Sequence, residues 1–257
     1  MTQTIAKSFV SVRNLEKRFG DGPIVLDDIN LEVKSGDFIS LLGPSGCGKS
    51  TLLKALCGLL EITSGSINID GMTPENAREI AFFIFQEPSL LPWLRVAGNV
   101  ELPLKIQGAS TENRKAKAEK MIELVGLSDA AKKFPWQLSG GMKMRVSIAR
   151  ALTTSPKLLM LDEPFGALDE MTRDRLNEDL LKIREVDPFT AFFVTHSVAE
   201  AVFLSSKIVI LSANPGRVAE VIDVPFDFPR SAPLRESTEY LEILAKTTHA
   251  LRAVEEQ

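Results

Sequence analysis

Asp37-Phe-Ile-Ser-Leu-Leu-Gly43-Pro-Ser-Gly-Cys-Gly-Lys-Ser-Thr51 is the stretch whose reading decides the fold. Its first half is a continuous apolar strand, and its second half fits G-x-x-x-x-G-K-[ST] at every position. The loop residues are Gly43, Pro44, Ser45, Gly46, Cys47, Gly48, Lys49, Ser50 and Thr51. Glycines at these positions let backbone N–H groups curl around a phosphate, and the helix that follows adds the positive end of its dipole. Lys49 is placed to reach β- and γ-phosphates and the Ser50 hydroxyl to ligate Mg²⁺. Cys47 occupies a free position of the loop and fills space. A chance glycine-rich turn would lack the strand, the lysine and the hydroxyl together.

Working outward, Phe9, Val10 and Val12 begin one strand, and Ile24 to Val33 form another. A helix is expected from Lys49 to about Leu59, a short strand over Ser66–Ile69 and a buried strand over Glu79–Phe85. Between Arg95 and Leu152 the period changes. Ala118, Met121, Ile122 and Val125 fall at i, i+3, i+4 and i+7, with Gly126 as a C-cap. Strands resume at Leu158–Leu161. Helix Asp169–Arg184, strand Thr190–Thr195, helix Val198–Leu204 and strand Lys207–Leu211 follow in alternation. That order implies an α/β fold with a mostly parallel sheet covered on both faces, interrupted by a helical insertion. Leu241, Leu244 and Leu251 suggest a terminal amphipathic helix, to which His249 belongs without an assigned role.

Composition narrows the function classes. The 257 residues carry 44% apolar and 25% charged side chains, as an average globular protein does. A formal charge of −4 gives no basic excess of the kind nucleic-acid binding shows, so no nucleic acid is expected. No apolar run approaches the ~18 residues that span a bilayer, and Met1 to Ser8 lacks an apolar signal core. Cys47 and Cys57 lie ten apart, one inside the phosphate loop, which disfavours a disulfide and favours a reducing compartment. A cytosolic protein follows, with any membrane role supplied by a partner.

Leu158-Leu-Met-Leu-Asp162 delivers a carboxylate to the end of a buried strand, followed by Glu163 and Pro164. A strand-end aspartate opposite a phosphate loop is the magnesium half of such a site. Asp162 would hold Mg²⁺ directly or through water, and Glu163 is placed to polarise the attacking water.

At Leu138-Ser-Gly-Gly-Met142 the chain resembles the LSGGQ signature of ABC ATPases. Met142 and Met144 stand where glutamines are commoner. The resemblance implies a P-loop NTPase fold with a RecA-like parallel-sheet core, an N-terminal antiparallel β subdomain and an inserted α-helical subdomain. It divides the chain into one ATPase domain over 8–230 and a helical tail over 231–257. Within the domain, 8–87 holds the β subdomain and core, about 88–155 the helical insertion, and 156–230 the rest of the core. It also implies further site residues. Phe19 resembles the aromatic that stacks on adenine, and Gln86 the glutamine that touches Mg²⁺ or the water. His196 resembles the switch histidine that bonds the γ-phosphate. Ser139, Gly140 and Gly141 would cap the ATP held by a second copy, and Asp169 of Gly166-Ala-Leu-Asp169 would cross the interface.

The implied engine is a head-to-tail dimer that closes on two ATPs and opens after hydrolysis. The resemblance implies a transmembrane permease as partner, gripped around Glu87-Pro-Ser-Leu-Leu-Pro-Trp93-Leu94, and through the complex a periplasmic solute-binding protein. Its place would be the cytoplasmic face of the membrane, as a peripheral subunit. Leu91–Val100, Thr195–Ala201 and Asn214-Pro-Gly-Arg217 look like the nitrate/sulfonate/taurine branch of bacterial importers, with matches also in pyrimidine-precursor importers. The chain ends soon afterwards, without room for the C-terminal β-rich domain of sugar importers. A soluble ABC ATPase working on ribosomes or nucleic acid, a non-hydrolysing cassette, or an exporter would share some of these motifs. The first usually carries two cassettes or a long coiled coil. The second is disfavoured by intact Lys49, Asp162, Glu163 and His196.

Overall fold

The computed structural model describes residues 8–256. The expectation of a polar N-terminus lacking a signal core falls almost wholly on residues 1–7, outside the described residues. Two sheets organise the chain. β1 (Val10–Arg18), β2 (Ile24–Val33) and β4 (Ser64–Ile69) form a three-stranded antiparallel sheet in the order β2-β1-β4. The second sheet adds β3 (Phe38–Leu42), β5 (Ala81–Ile84), β6 (Leu158–Asp162), β7 (Thr190–Val194), β8 (Lys207–Leu211) and β9 (Val218–Asp223). Its order is β5-β6-β7-β3-β8-β9, parallel throughout except for β9 at the edge.

Strand periodicity explains how this sheet is covered. Successive side chains point to opposite faces, so each central strand must be apolar on both. Phe38, Leu159, Leu161, Phe193, Ile208 and Ile210 join the core beneath the helices α4 (Gly140–Leu152), α5 (Glu170–Val186) and α6 (Val198–Leu204). Their neighbours Ile39, Leu41, Met160, Phe192, Val194 and Val209 face the other way, against α1 (Lys49–Leu56) and the antiparallel sheet. Burying each such side chain contributes roughly 1.5–3 kcal/mol. The sheet is thereby held from both sides, and the C-terminal ends of β3 and β6 form a stiff edge.

The helical segment comprises α2 (Val96–Ile106), α3 (Thr111–Leu124) and α4, lying between β5 and β6 in sequence. Ala118, Met121 and Ile122 are the buried stripe of α3, the face its spacing predicts. A short 3₁₀ turn (Ala232–Glu236) leads to α7 (Thr238–Glu255).

Several boundaries differ from the expectations. α1 stops at Leu56, where Gly58 takes a positive φ of 65° against the Pro74 backbone. Glu79 closes a 3₁₀ turn, so its strand begins at Ala81. β9 was not anticipated. Only Ile222 of its six residues is buried, so an exposed edge strand carries no apolar run to read.

Candidate functional site

The loop Gly43–Thr51 connects β3 to α1 in an enclosed setting that explains its glycines. A Cβ on Gly43, whose φ is 149°, would stand 2.4 Å from the Leu211 carbonyl oxygen. One on Gly48, at φ 101°, would stand 2.5 Å from Leu26 Cδ2. Neither position tolerates a side chain. Behind the loop lies the turn Asn214–Arg217. Gly216 donates its N–H to the Val25 carbonyl at 2.9 Å, and a Cβ there would fall 2.1 Å from the Cys47 carbonyl oxygen. Cys47 is buried, as its space-filling reading expects, and burial raises the pKa of its thiol above the ordinary range.

Lys49 is 5% exposed, and its Nζ donates to the carbonyls of Gly43 at 2.7 Å and Pro44 at 2.9 Å. The loop's own backbone thus holds the ammonium over the cleft floor. Beside it Ser50 Oγ donates to Asp162 Oδ1 at 2.7 Å, joining the start of α1 to the end of β6. The Asp162 carboxyl is held above the usual range, chiefly by burial, with the Ser50 hydrogen bond opposing. A cleft of about 330 Å³ is lined by Ser45, Gly46, Gly48, Lys49, Ser50, Thr51, Glu163 and His196.

Glu163 adopts a left-handed φ of 48°, unusual for a residue with a side chain. Its N–H donates to Val194 at 3.1 Å and its carbonyl accepts from Gly166 at 3.2 Å, bonds that hold this conformation. The twist turns the carboxylate out of the sheet edge, toward β7. There His196 Nε2 lies 2.6 Å from Glu163 Oε1. The two side chains also border a second cavity of about 420 Å³ that includes Gln86, Gly166, Arg173 and Glu200.

The other expected residues fall around this centre. Gln86 lies on the second cavity beside Glu163 and Gly166, and not on the cleft that holds Ser50. Phe19 is 51% exposed in the turn between β1 and β2, with Lys17 Nζ 4.7 Å from its ring centroid. Strand β2 continues from that turn to Val25 and Leu26, which abut Gly48. Ser139 caps α4, its Oγ accepting from Met142 N at 3.3 Å, so this helix begins at Gly140. Asp169 caps α5 by accepting from Thr172 N at 3.0 Å, and the hydrogen bonds from Thr172 hold its carboxyl below the usual range. These two helix starts are packed together. A Cβ on Gly141 would meet Thr172 Cγ2 at 2.9 Å, and one on Gly140 would meet Leu168 Cδ2 at 3.3 Å. The structure therefore brings Lys49, Ser50, Asp162, Glu163 and His196 to one edge, and Ser139, Gly140, Gly141 and Asp169 to another surface of the same chain.

A hydroxyl and a carboxylate as close as Ser50 and Asp162 are hard oxygen donors, the chemistry Mg²⁺ takes. No group of three or more His, Cys, Asp or Glu fit for a metal occurs among the described residues. Two protein donors suit an ion that shares its remaining positions with water and phosphate oxygens.

Sequence reading passed over several residues that shape these surfaces. Asn99, fully buried, accepts from Leu91 N at 2.8 Å and donates to Leu91 O, Leu94 O and Arg95 O at 3.1, 3.1 and 3.2 Å. Arg150 donates to the carbonyls of Pro88 and Ser89, each at 3.0 Å. Together they pin the segment after Gln86 while Trp93 stands 69% exposed. An asparagine or arginine inside a helix gives no sequence signal for such a task, because its partners are backbone carbonyls and N–H groups, which every residue type carries.

Residues 26–166, more than half of the chain, match the family model described as ABC transporter. The taurine import ATP-binding protein of Rhizobium johnstonii is 44% identical over 209 residues, covering 81% of this chain and 80% of that protein. The bicarbonate transport ATP-binding protein of a Synechocystis strain is 48% identical over 239 residues, 90% of this chain. The chain spans only 36% of that relative's length. A dimeric ATP-binding cassette solved in a post-hydrolysis state with ADP and Pi superposes with a TM-score of 0.74 at 33% identity, over 85% of this chain and 100% of that one. No helix among the described residues is long and apolar enough to cross a membrane. Loop, acidic strand end, signature helix and these relatives agree: the chain belongs to the ABC transporter family, as one of its ATP-binding, ATP-hydrolysing members.

Proposed function

We propose that this chain powers a bacterial importer of a small solute of the nitrate, sulfonate, taurine or bicarbonate kind, bound as a peripheral subunit to the cytoplasmic face of a transmembrane permease. The observation that carries the reading is the convergence of Lys49, Ser50, Asp162, Glu163 and His196 on one sheet edge. The relatives named for taurine import and bicarbonate transport support the cargo class. The resemblance of residues 91–100 and 195–201 points the same way.

In this reading Lys49 and the N–H groups of Gly46 to Ser50 bind the phosphates, and Phe19 stacks on the base. Ser50 and Asp162 would hold Mg²⁺, which supplies charge neutralisation at the phosphate oxygens when bound. Glu163 orients the attacking water and accepts its proton, and His196 bonds the γ-phosphate while holding the Glu163 carboxylate in place. Gln86, at the rim of both Glu163 and the segment bearing Trp93, reports the site's state to the permease. Ser139, Gly140, Gly141 and Asp169 complete the ATP site of a second copy. Binding of ATP to the closed pair and loss of the γ-phosphate then shift the population between closed and open dimers.

The test is reconstitution with its permease partner, in vesicles with ATP inside or outside. ATP-dependent uptake of labelled taurine, nitrate or bicarbonate, lost in Glu163→Gln, is expected. Efflux in place of uptake would make the protein an exporter subunit. ATPase activity stimulated by RNA or ribosomes, without membrane partition, would favour the soluble alternative.

A further inference from the structure

Glu200 is 5% exposed, and a buried carboxylate needs partners. It has two, and they lead to opposite ends of the site. Its Oε2 accepts from the Thr195 hydroxyl, and the same Thr195 oxygen accepts from Ser197 N at 3.0 Å. Glu200 N in turn donates to Ser197 Oγ at 3.3 Å. His196 is the residue enclosed by this network, so its backbone is held on both sides. The other partner is Arg173 on α5, whose Nε lies 3.6 Å from Glu200 Oε1. Arg173 also donates from its terminal nitrogen to the Leu168 carbonyl at 3.0 Å. Leu168 immediately precedes Asp169, the cap of α5.

One guanidinium therefore spans two segments: the turn that presents Asp169 outward and the turn that presents His196 to Glu163. Farther along, Arg235 pairs with Asp174 at 3.1 Å and with Glu178 at 3.3 Å, and stacks on Phe203 with its central carbon 3.7 Å from the ring centroid. Arg230 donates to the carbonyls of Val202, Phe203 and Ser205 at the end of α6. Arg235 thus ties the first half of α5 to Phe203 near the end of α6, and Arg230 holds that end of α6, while Arg173 and Glu200 join the turns that precede the two helices.

We propose that Arg173, acting through Glu200, is a positioning residue that makes the setting of His196 depend on the setting of the Leu168–Asp169 turn. When a second copy engages Asp169, the Leu168 carbonyl and Arg173 are fixed, Glu200 is fixed with them, and the Thr195–Ser197 turn presents His196 in register with Glu163. Hydrolysis in one site would thus sense the second copy without either residue touching nucleotide. The proposal rests on the ATPase reading of the site.

The experiment compares the full chain with Arg173→Ala, Arg173→Lys and Glu200→Gln in steady-state ATP hydrolysis and in nucleotide affinity. Glu200→Gln keeps an acceptor for Thr195 while removing the charge that Arg173 faces. Losing the link should lower kcat about tenfold, within the range known for coupling residues. KM and ATP affinity should change by less than about twofold, because the Lys49 loop is untouched. Arg173→Lys should also lower kcat, since one ammonium can meet Leu168 or Glu200 but does not span both. The double variant Arg173→Ala/Glu200→Gln should be no slower than Arg173→Ala alone, because both remove one link. Should Arg173→Ala fail to fold, Arg173→Lys and Glu200→Gln carry the comparison. An unchanged kcat, a parallel fall in ATP affinity, or additive losses would overturn the proposal. A wild-type chain with no turnover at saturating Mg-ATP would overturn the ATPase reading, and the proposal with it.

Discussion

The Nε2 of His196 and the Oε1 of Glu163 are 2.6 Å apart, at the ends of adjacent parallel strands. Because Glu163 is turned outward by its left-handed backbone, the pair meets above the sheet edge beside Lys49 and Ser50. Glu163→Gln should retain this contact as a neutral hydrogen bond while removing the proton acceptor. Turnover is expected to fall about 10²- to 10⁴-fold, the usual weight of a general base, with ATP affinity retained. Light scattering should then show a dimer with ATP and none without it.

Lys49 sits among carbonyls of its own loop and carries the charge that meets phosphate. Lys49→Ala removes charge-assisted hydrogen bonds worth about 1.5–3 kcal/mol each. ATP affinity, read by calorimetry, should weaken at least tenfold. Thermal stability should change much less, because the loop is also shaped by Gly43, Gly48 and the Gly216 turn.

Ser139 caps α4 on a surface away from Lys49. Ser139→Arg should leave nucleotide binding by each subunit intact and abolish hydrolysis, a loss of roughly 10²-fold or more if the residue serves a partner's phosphate. Mixing Ser139→Arg with Lys49→Ala subunits distinguishes the two roles. If each site takes its loop from one copy and its cap from the other, one good composite site re-forms and activity partly returns. Persistent activity in Ser139→Arg alone would sink the shared-site dimer.

Gly141 has no room to grow, with Thr172 Cγ2 only 2.9 Å from where its Cβ would be. Gly141→Ala should destabilise the fold by about 1–3 kcal/mol, as overpacking does. Thr172→Ser deletes the offending methyl and should return most of the loss in a chemical-denaturation series.

Cys57 is the buried C-cap residue of α1, and burial pushes its thiol up to about 11 from an ordinary 9.0. A pKa that is higher in the folded chain favours folding while the unfolded thiol is still protonated. Its contribution is full below pH 9.0 and is lost as pH rises toward about 11. The free energy of unfolding should therefore decline across that window, by up to ~3 kcal/mol. Cys57→Val should flatten the decline, and the native thiol should resist alkylation at pH 8.

Strands β3, β6 and β7 were legible because both their faces are buried, which writes an unbroken apolar run into the chain. Lys49, Ser50, Asp162 and Glu163 were legible for a related reason: each ends or follows such a strand, so position alone brings them together. β9 was not, since an edge strand with one buried residue leaves no pattern. Arg173, Glu200, Asn99 and Arg150 were missed because they bind backbone groups of neighbouring turns or one another. In sequence they look like ordinary polar residues on helices. Gln86 was found by its neighbours in the chain, yet its seat beside Gly166 and away from Ser50 required the fold.

The turn Asn214–Arg217 has a different lesson. It matches a branch of importers in sequence, but Gly216 is pressed against the Cys47 carbonyl and bonded to Val25, and Arg217 reaches Asp27 at 2.5 Å. What this glycine reports is the shape of the nucleotide loop in front of it. As a label for cargo it is blind: proteins carrying unrelated solutes through unrelated permeases would keep it for the same steric reason, and a search for the transported molecule should begin at Trp93, where the chain faces outward.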